Sequence, residues 1–189
     1  MQLVELTIAG TSPIIINKFT DAAAQAATDG ERASTKGERL TPAEDAEERL
    51  YVDEQGQPIM PGPNLLMAFT SAGRFFKNGK TQLSTTKSSI IPAAIGLSEV
   101  YFPLQSKAPW KVDTRPVRIP ATGGRILRHR PMFDDWSIDF SLTVETDLLT
   151  VSRVRDVVDA AGSRIGLCDF RPECRGPFGR FKVTSWKLV

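Results

Sequence analysis

Strict alternation of apolar and polar residues sets residues 136–145 apart from the rest of the chain. The apolar positions are Trp136, Ile138, Phe140, Leu142 and Val144, and a polar residue follows each of them. A period of two places all five apolar side chains on the same face of a strand. The segment therefore predicts a half-buried strand of an antiparallel sheet.

Two segments carry a helical period instead. Residues 151–162 place valines on one face, with Thr150 as the predicted N-cap and Gly162 as the predicted stop. Residues 63–77 also carry an apolar side, and Arg74 lies near their C-terminal end. A cation there either stabilises the helix end through its dipole or contacts a nucleic acid.

Six predicted elements follow one another in the order β-α-β-β-α-β. They are residues 2–9, 63–77, 97–104, 136–145, 151–162 and 178–188. This order is that of the ferredoxin-like or RRM-like fold. We expect an α+β protein with a single domain over residues 1–189, because neither a repeat nor a linker divides the chain.

Two long insertions interrupt this predicted core. Residues 18–48 are polar and acidic, which predicts a mobile loop followed by a helix that starts at Thr41 and Pro42. Residues 105–132 combine many cations with four prolines, which predicts a basic arm or a long hairpin.

The basic arm is the first candidate nucleic-acid-binding segment. Asp113 is its only acid, whereas its basic residues are Lys107, Lys111, Arg115, Arg118, Arg125, Arg128, His129 and Arg130. Clustered cations on an extension favour contact with a phosphate backbone. The alternative is a basic surface loop that has no ligand.

The second candidate is the Gly/Pro/Arg-rich segment before the last strand. Its predicted nucleic-acid-binding residues are Arg171, Arg175, Gly176, Phe178, Gly179 and Arg180. Glycines let a backbone approach another chain, backbone N–H groups cradle phosphates, and arginines add charge in a fork geometry. Phe170, Phe178 and Phe181 would supply stacking faces. The alternative is an ordinary hairpin loop with solvated arginines and phenylalanines in the core.

Composition narrows the classes of function. The chain has 41% hydrophobic residues, 24% charged residues and a net charge of +2, which is ordinary for a globular protein. Its apolar runs are too short to span a membrane, and its N-terminus lacks a signal-peptide pattern. Two cysteines and one histidine are too few for a usual zinc site. We therefore expect no metal and no other cofactor, and reduced thiols in a cytoplasmic protein.

Three stretches of the chain match motifs that occur together in one superfamily. They are Leu3-Val-Glu-Leu-Thr-Ile-Ala-Gly-Thr-Ser-Pro-Ile, then Gly56-Gln-Pro-Ile-Met-Pro-Gly-Pro-Asn-Leu-Leu-Met-Ala-Phe with Ala72-Gly-Arg, and finally Ile165-Gly with Arg175-Gly-Pro-Phe-Gly-Arg-Phe-Lys-Val. In this order they resemble the first strand, the Pro-Gly helix start and the glycine-rich signature of the RAMP superfamily. Those proteins are the RRM-like, repeat-associated proteins of CRISPR systems.

The resemblance implies an RRM-like protein that binds single-stranded RNA, or DNA as the second choice. It also implies a homo-oligomer along the strand or a subunit of a ribonucleoprotein complex. In the resembled family a protruding hairpin reaches over the guide to the next subunit, and residues 105–132 match its position. At 189 residues the chain is short for a backbone subunit, which favours a stand-alone or reduced relative. A CRISPR system, a phage or another mobile element would each fit as its source.

Three functions are compatible with these features. The first, which we favour, is non-catalytic binding of single strands. The second is a metal-independent endoribonuclease that uses His129 as a general base, or Asp21 or Asp29 as a catalytic acid group. The third is a subunit mimic that joins another complex. The sequence contains no P-loop, dinucleotide-binding fingerprint, HExxH motif or nucleophile elbow.

Overall fold

The computed structural model describes residues 1–20, 24–25, 28, 40–118 and 123–189. Within these ranges the strands are β1 (Gln2–Gly10), β2 (Ile14–Ile15), β3 (Ile59–Pro61), β4 (Lys77–Asn78), β5 (Thr81–Gln82), β6 (Ile95–Leu97), β7 (Tyr101–Pro103), β8 (Lys111–Arg118), β9 (Arg125–Phe133), β10 (Ser137–Val144) and β11 (Phe181–Leu188). The helices are α1 (Pro42–Glu47), α2 (Gly62–Ala72), α3 (Ile91–Ala94) and α4 (Val151–Ala160). Two 3-10 turns cover Gly73–Phe75 and Pro172–Cys174, and a π turn covers Ala161–Ile165. The protein is therefore α+β, as predicted.

The central sheet is antiparallel and has the strand order β11-β1-β10-β6. In its middle, Leu6 of β1 lies opposite Phe140 of β10. These side chains are 3% and 6% exposed, whereas Asp139 points to the solvated face. The alternation predicted over residues 136–145 is confirmed, in a strand that spans Ser137–Val144.

Helices α2 and α4 cover the buried face of this sheet. The ring of Phe69 in α2 stacks on Phe140 with 6.3 Å between centroids, and Val154 of α4 is fully buried. The hydroxyl of Thr150 accepts a hydrogen bond from the backbone N–H of Arg153 at 3.2 Å, as its predicted N-cap role requires. One hydrophobic core lies between the sheet and the two predicted helices.

Helix α4 does not end at the predicted stop. It passes into the π turn, and the chain leaves that turn at Gly166, whose φ is 76°. Gly162 lies inside the turn, where an added Cβ would stand 2.2 Å from the carbonyl oxygen of Phe181. Gly162 is therefore needed for close packing of the turn against β11 and not for ending a helix.

The predicted strand over residues 97–104 is wrong in its bounds. β6 pairs with β10 in the central sheet, whereas β7 pairs with β3 in a separate ribbon. Phe102 of β7 and the following Leu104 are buried in the same core. One predicted strand thus serves two sheets, and the polar pair Ser98-Glu99 lies between the two observed strands.

The basic segment forms a two-stranded hairpin. β8 pairs with β9 from Lys111 opposite Met132 to Arg118 opposite Arg125, and β2 extends this sheet along β9. Residues 119–122, which follow β8 in the sequence, lie outside the described ranges.

Helix α1 packs against this hairpin. It starts at the predicted N-cap Thr41, and the carboxylate of its Asp45 accepts a hydrogen bond from the backbone N–H of His129 at 3.4 Å. Much of the preceding predicted loop lies outside the described residues, and both Asp21 and Asp29 fall there.

A buried arginine connects the hairpin to the glycine-rich loop at residues 166–180. The guanidinium of Arg130 in β9 lies 2.9 Å from Asp113 in β8 and 2.6 Å from Asp169 in the loop. Arg115 pairs with the same Asp113 at 2.6 Å. Arg130 is only 3% exposed, so its predicted role in binding nucleic acid is replaced by a structural one.

The backbone of the glycine-rich loop is tightly folded on itself. Among the described residues, the non-glycine positions with positive φ are all in this loop: Cys168, Phe170 and Arg175, at 61°, 50° and 65°. A Cβ added at Gly176 would stand 1.6 Å from the carbonyl oxygen of Phe170. Gly176 therefore permits one part of the loop to cross another, which differs from the predicted approach to a ligand.

Replacing Arg130 with methionine should destabilise the fold strongly. The change leaves Asp113 buried with one partner fewer and Asp169 without a counter-ion, and breaking a buried pair in this way costs about 3 kcal/mol. Urea denaturation followed by circular dichroism measures the loss. Lys111→Met is the matched control, because Lys111 pairs with Asp134 at the surface and such pairs contribute about 1 kcal/mol or less. Equal denaturation midpoints for the two variants would contradict a structural role for Arg130.

The variant Gly176→Ala should be destabilised by about 3 kcal/mol, because the added methyl group forces the crossing of the loop apart. Gly56→Ala serves as the comparison. Gly56 has a φ of 77° and nothing within 4 Å of the added Cβ, so the cost there is backbone strain of about 1 kcal/mol. The difference between the two melting temperatures tests the claim, and a milder effect at Gly176 than at Gly56 would refute it.

Candidate nucleic-acid interface

The backbone N–H groups of residues 175–180 are engaged within the protein. Those of Arg175 and Gly176 donate to the carbonyls of Pro172 and Arg171, at 3.0 and 2.9 Å. The N–H groups of Phe178, Gly179 and Arg180 donate to Phe170 O, Pro13 O and Ser12 Oγ, respectively. Residue 177 is a proline and has no backbone N–H group. The predicted phosphate cradle of N–H groups is therefore already occupied, and Gly179, like Gly176, serves the fold of the loop. Side chains are left to contact a ligand.

The aromatic residues of the loop differ in their exposure. Phe178 is 8% exposed, and the guanidinium of Arg115 lies 4.7 Å from the centre of its ring. Phe181 is 2% exposed, whereas Phe170 is 37% exposed. The stacking role predicted for Phe178 is therefore replaced by packing beneath Arg115, and Phe170 alone of the three offers a solvent-facing ring.

The three predicted arginines of the loop remain at the surface to different degrees. Arg171 is half-buried and donates to Glu173 at 2.9 and 3.2 Å and to the carbonyl of Cys168 at 2.9 Å. Arg180 is exposed and donates to the carbonyl of Ser163. Arg175 is exposed, and within the described part of the chain no carboxylate pairs with it.

Two further arginines join the loop from the ends of the core helices. Arg74, which the sequence had singled out, pairs with Glu173 at 3.5 Å. The guanidiniums of Arg74 and Arg164 lie 5.2 and 4.8 Å from the centre of the Phe75 ring, which is 41% exposed. Arg164 was missed in the sequence because it follows Gly162, the predicted helix stop, whereas the chain stays helical through the π turn that contains Arg164.

We group the arginines of the loop and of the two helix ends as one surface, here called the arginine surface. It consists of Arg74, Arg164, Arg171, Arg175 and Arg180, with Phe75 and Phe170 as its exposed rings. Glu173 is the carboxylate that pairs with it in the described residues. Positive charge is therefore in excess there even after the internal ion pairs are counted.

The hairpin carries a second group of cations, and it sets like charges side by side. Arg118 lies directly opposite Arg125, and Arg115 lies opposite Arg128. Such pairs destabilise an antiparallel sheet. Burial, and then the nearby Arg49, lower the pKa of Arg128 below its ordinary value, and the carboxylate of Asp45 partly opposes this shift.

Lys107 and Lys111 lie near the base of the hairpin. Lys111 pairs with Asp134, whereas Lys107 is exposed and its backbone N–H donates to Asp135 at 3.2 Å.

His129 forms a cross-strand pair. Its Nδ1 lies 2.8 Å from the hydroxyl of Thr114 on β8. Among the described residues, no carboxylate contacts the ring. No group of three or more His, Cys, Asp or Glu side chains that could hold a metal is present in the described ranges.

A cavity of about 260 Å³ opens beside the arginine surface. Its wall includes Asn17, Tyr51, Asn64, Met67, Leu167 and Arg171. Cys168 also lines it, with its sulfur 3.8 Å from the sulfur of Met60. Burial raises the pKa of this thiol to about 12, so it stays protonated at neutral pH and is a poor nucleophile.

No described helix combines the length and the apolar character needed to cross a membrane.

Comparison with known proteins yields a structural neighbour and no sequence relative. No protein-family model matches the chain, and no curated protein matches it. The fold is similar to a chain in the cryo-EM structure of the type III-B Cmr-beta complex bound to cognate target RNA, with a TM-score of 0.61 and 11% identity. The match covers 100% of this chain and 60% of that one, so the present chain spans about three fifths of its neighbour's length. At this identity the likeness concerns the fold.

Proposed function

We propose that this protein binds single-stranded nucleic acid without cutting it, prefers RNA to DNA, and oligomerises along the strand. The proposal includes an RRM-like core of the RAMP kind. The strand order supports that core: the four strands of the β-α-β-β-α-β series lie in the order fourth, first, third, second, with α2 and α4 on one face. The RNA-bound Cmr-beta neighbour supports RNA as the ligand and a CRISPR-type complex as the setting.

Uncompensated positive charge carries the proposal. Five arginines meet one carboxylate on the arginine surface, and the hairpin places Arg118 directly against Arg125. A fold that keeps like charges adjacent bears a cost that a polyanion would remove. Binding of a phosphate chain by arginine side chains accounts for both groups, since each guanidinium can fork onto one phosphate.

The solvated face of the central sheet argues for recognition of the backbone and not of sequence. RRM domains stack bases on aromatic side chains of that face. Here β10 presents Ser137, Asp139 and Ser141 there, and Glu5 and Thr7 of β1 lie beside them. Without stacking residues on the sheet, affinity would come from phosphate contacts at the arginine surface and the hairpin.

Removing the arginines in pairs should weaken binding and flatten its dependence on salt. We expect Arg118→Gln with Arg125→Gln, and separately Arg74→Gln with Arg164→Gln, to lower the affinity for a labelled oligouridine about tenfold at low salt. The slope of log affinity against log salt should fall by about 0.7 for each phosphate that the variant no longer neutralises. Fluorescence anisotropy over a salt series measures both quantities.

Lys187→Gln is the matched control for these variants. Lys187 pairs with Glu5 at 3.6 Å on the solvated face of the sheet, so the charge change is the same per residue while the place differs. Its affinity and slope should equal those of the wild type. If the paired arginine variants kept the wild-type slope, neither group would belong to the interface. If a DNA strand of equal sequence bound more tightly than RNA, the stated preference would be wrong.

Oligomerisation along the strand predicts a mass that grows with strand length. Light scattering on complexes with RNAs of increasing length should show stepwise addition of protein copies. The protein without nucleic acid and the protein with mononucleotide are the controls. A complex of one protein per strand at every length would contradict assembly along the strand while leaving the binding itself intact.

A further inference from the structure

The cavity beside the arginine surface has the size and lining of a small-ligand site. Its volume of about 260 Å³ is close to the lower end of the range for such sites, about 300 Å³. Met67, Ala68 and Leu167 give it an apolar wall, and Tyr51 and Asn64 add polar groups. Met67 is 64% exposed, so a thioether lies at the solvent side of the cavity.

The charged groups of the cavity are already compensated. Asp169 accepts from Arg130 at 2.6 Å and from Asn17 at 3.1 Å through one oxygen, and from the backbone N–H of Phe170 through the other. Arg171 is paired with Glu173. The cavity therefore offers no uncompensated charge to a phosphate or a metal ion, and its thiol, Cys168, is protonated.

Two neutral polar side chains retain hydrogen-bonding capacity. The amide of Asn64 has as its partner the sulfur of Met60 at 3.7 Å, which is a weak acceptor. The hydroxyl of Tyr51 has no hydrogen-bond partner among the described residues. Burial raises the pKa of this phenol, so the hydroxyl keeps its proton and can donate. An amide and a hydroxyl beside the apolar patch of Met67, Ala68 and Leu167 suit a flat, neutral ligand with a polar edge.

We propose that this cavity receives one unpaired nucleobase of the bound strand. The inference rests on the proposed binding of single strands and assigns a site to it. Tyr51 and Asn64 would bond the edge of the base, since an asparagine amide can donate to and accept from one base edge at once. The thioether of Met67 would lie against the aromatic ring, a favourable contact for sulfur.

Arg171 places the cavity next to the phosphate path. Its side chain lines the cavity and also contacts Glu173, which in turn contacts Arg74. A strand that lies on the arginine surface therefore runs past the cavity mouth. One base per protein copy would be held there, while the remaining bases stay unread.

A thermodynamic cycle that combines a protein variant with removal of the bases from the strand tests the site. Tyr51→Phe with Asn64→Ala removes the polar groups and leaves the charge unchanged. We expect this double variant to bind oligouridine or oligoadenosine about fivefold more weakly than the wild type, with the salt slope unaltered. On a strand of sugar and phosphate without bases, wild type and variant should bind equally, so the fivefold difference is the coupling between cavity and base.

The controls use the same residue types outside the cavity. Tyr101→Phe changes the chain's other tyrosine, which is 55% exposed on β7, and Asn78→Ala changes an exposed asparagine in β4. Both should match the wild type on both strands. Thermal melting of every variant separates weaker binding from impaired folding.

Photo-crosslinking supplies a second measurement that does not depend on variants. A strand with 4-thiouridine should crosslink to peptides that contain Tyr51 or Met67. Crosslinks confined to other peptides would overturn the cavity site, and so would equal affinities of wild type and double variant on base-bearing strands. In either case salt-dependent binding of the strand would persist and the proposed function would stand. A wild-type protein that binds no single strand would instead overturn the proposed function itself.

Discussion

The buried guanidinium of Arg130 is the interaction on which the arrangement of the candidate site depends. It lies between Asp113 of the hairpin and Asp169 of the glycine-rich loop, and β2 runs beside both. A buried ion pair contributes little net stability, because desolvation offsets most of its attraction. Its effect is to exclude other arrangements, since any shift of the hairpin leaves a charge buried without a partner. We interpret it as the contact that sets the hairpin at a fixed position relative to the loop.

That constraint explains why the loop can be so irregular. The three non-glycine residues with positive φ are costly locally, each by roughly 1 kcal/mol or more. They persist because the loop is held at both ends, by the bond from Gly179 to Pro13 at 2.8 Å and by the ion pair at Asp169. As a result, the backbone N–H groups of residues 175–180 donate hydrogen bonds within the protein. The surface of the loop then consists of side chains, among them the exposed Phe170, Arg175 and Arg180.

Sequence reasoning succeeded where a pattern repeats over several residues. The strand at Ser137–Val144 and the helix that starts after Thr150 follow from periodicity and capping, because every position contributes to the same conclusion. It failed at residues 97–104, where one predicted strand divides between two sheets. Ser98 and Glu99 lie at the division, but a polar pair there is compatible with one continuous strand as well as with two. Which strands pair is decided by which lie near one another in three dimensions.

At the candidate site, the residue types were predictable and their roles were not. Arginines, glycines and a phenylalanine were expected to face a ligand, yet Arg130 and Phe178 are buried and Gly176 serves an internal crossing. An arginine beside an aspartate fits a phosphate site and a buried ion pair equally well. The contact of Arg130 with Asp169 decides between them, and these two residues are 39 positions apart in the sequence. Arg164 was not predicted as part of the site, because it lies beyond the predicted helix stop and its partner Phe75 belongs to an element that is distant in sequence.

The proposed phosphate contacts and the proposed base site would contribute differently to binding, and together they suit a protein that coats a strand. Phosphate contacts give affinity that is independent of sequence and sensitive to salt, and they allow a strand to slide. A single neutral cavity adds little affinity, but it would bind one base at a defined position on each protein copy. Repeated along a strand, such a cavity would fix the spacing between copies, which charge alone leaves undefined. Because Arg171 lines the cavity and contacts the carboxylate shared with Arg74, the same loop would hold the proposed phosphate path and the proposed base site in one register.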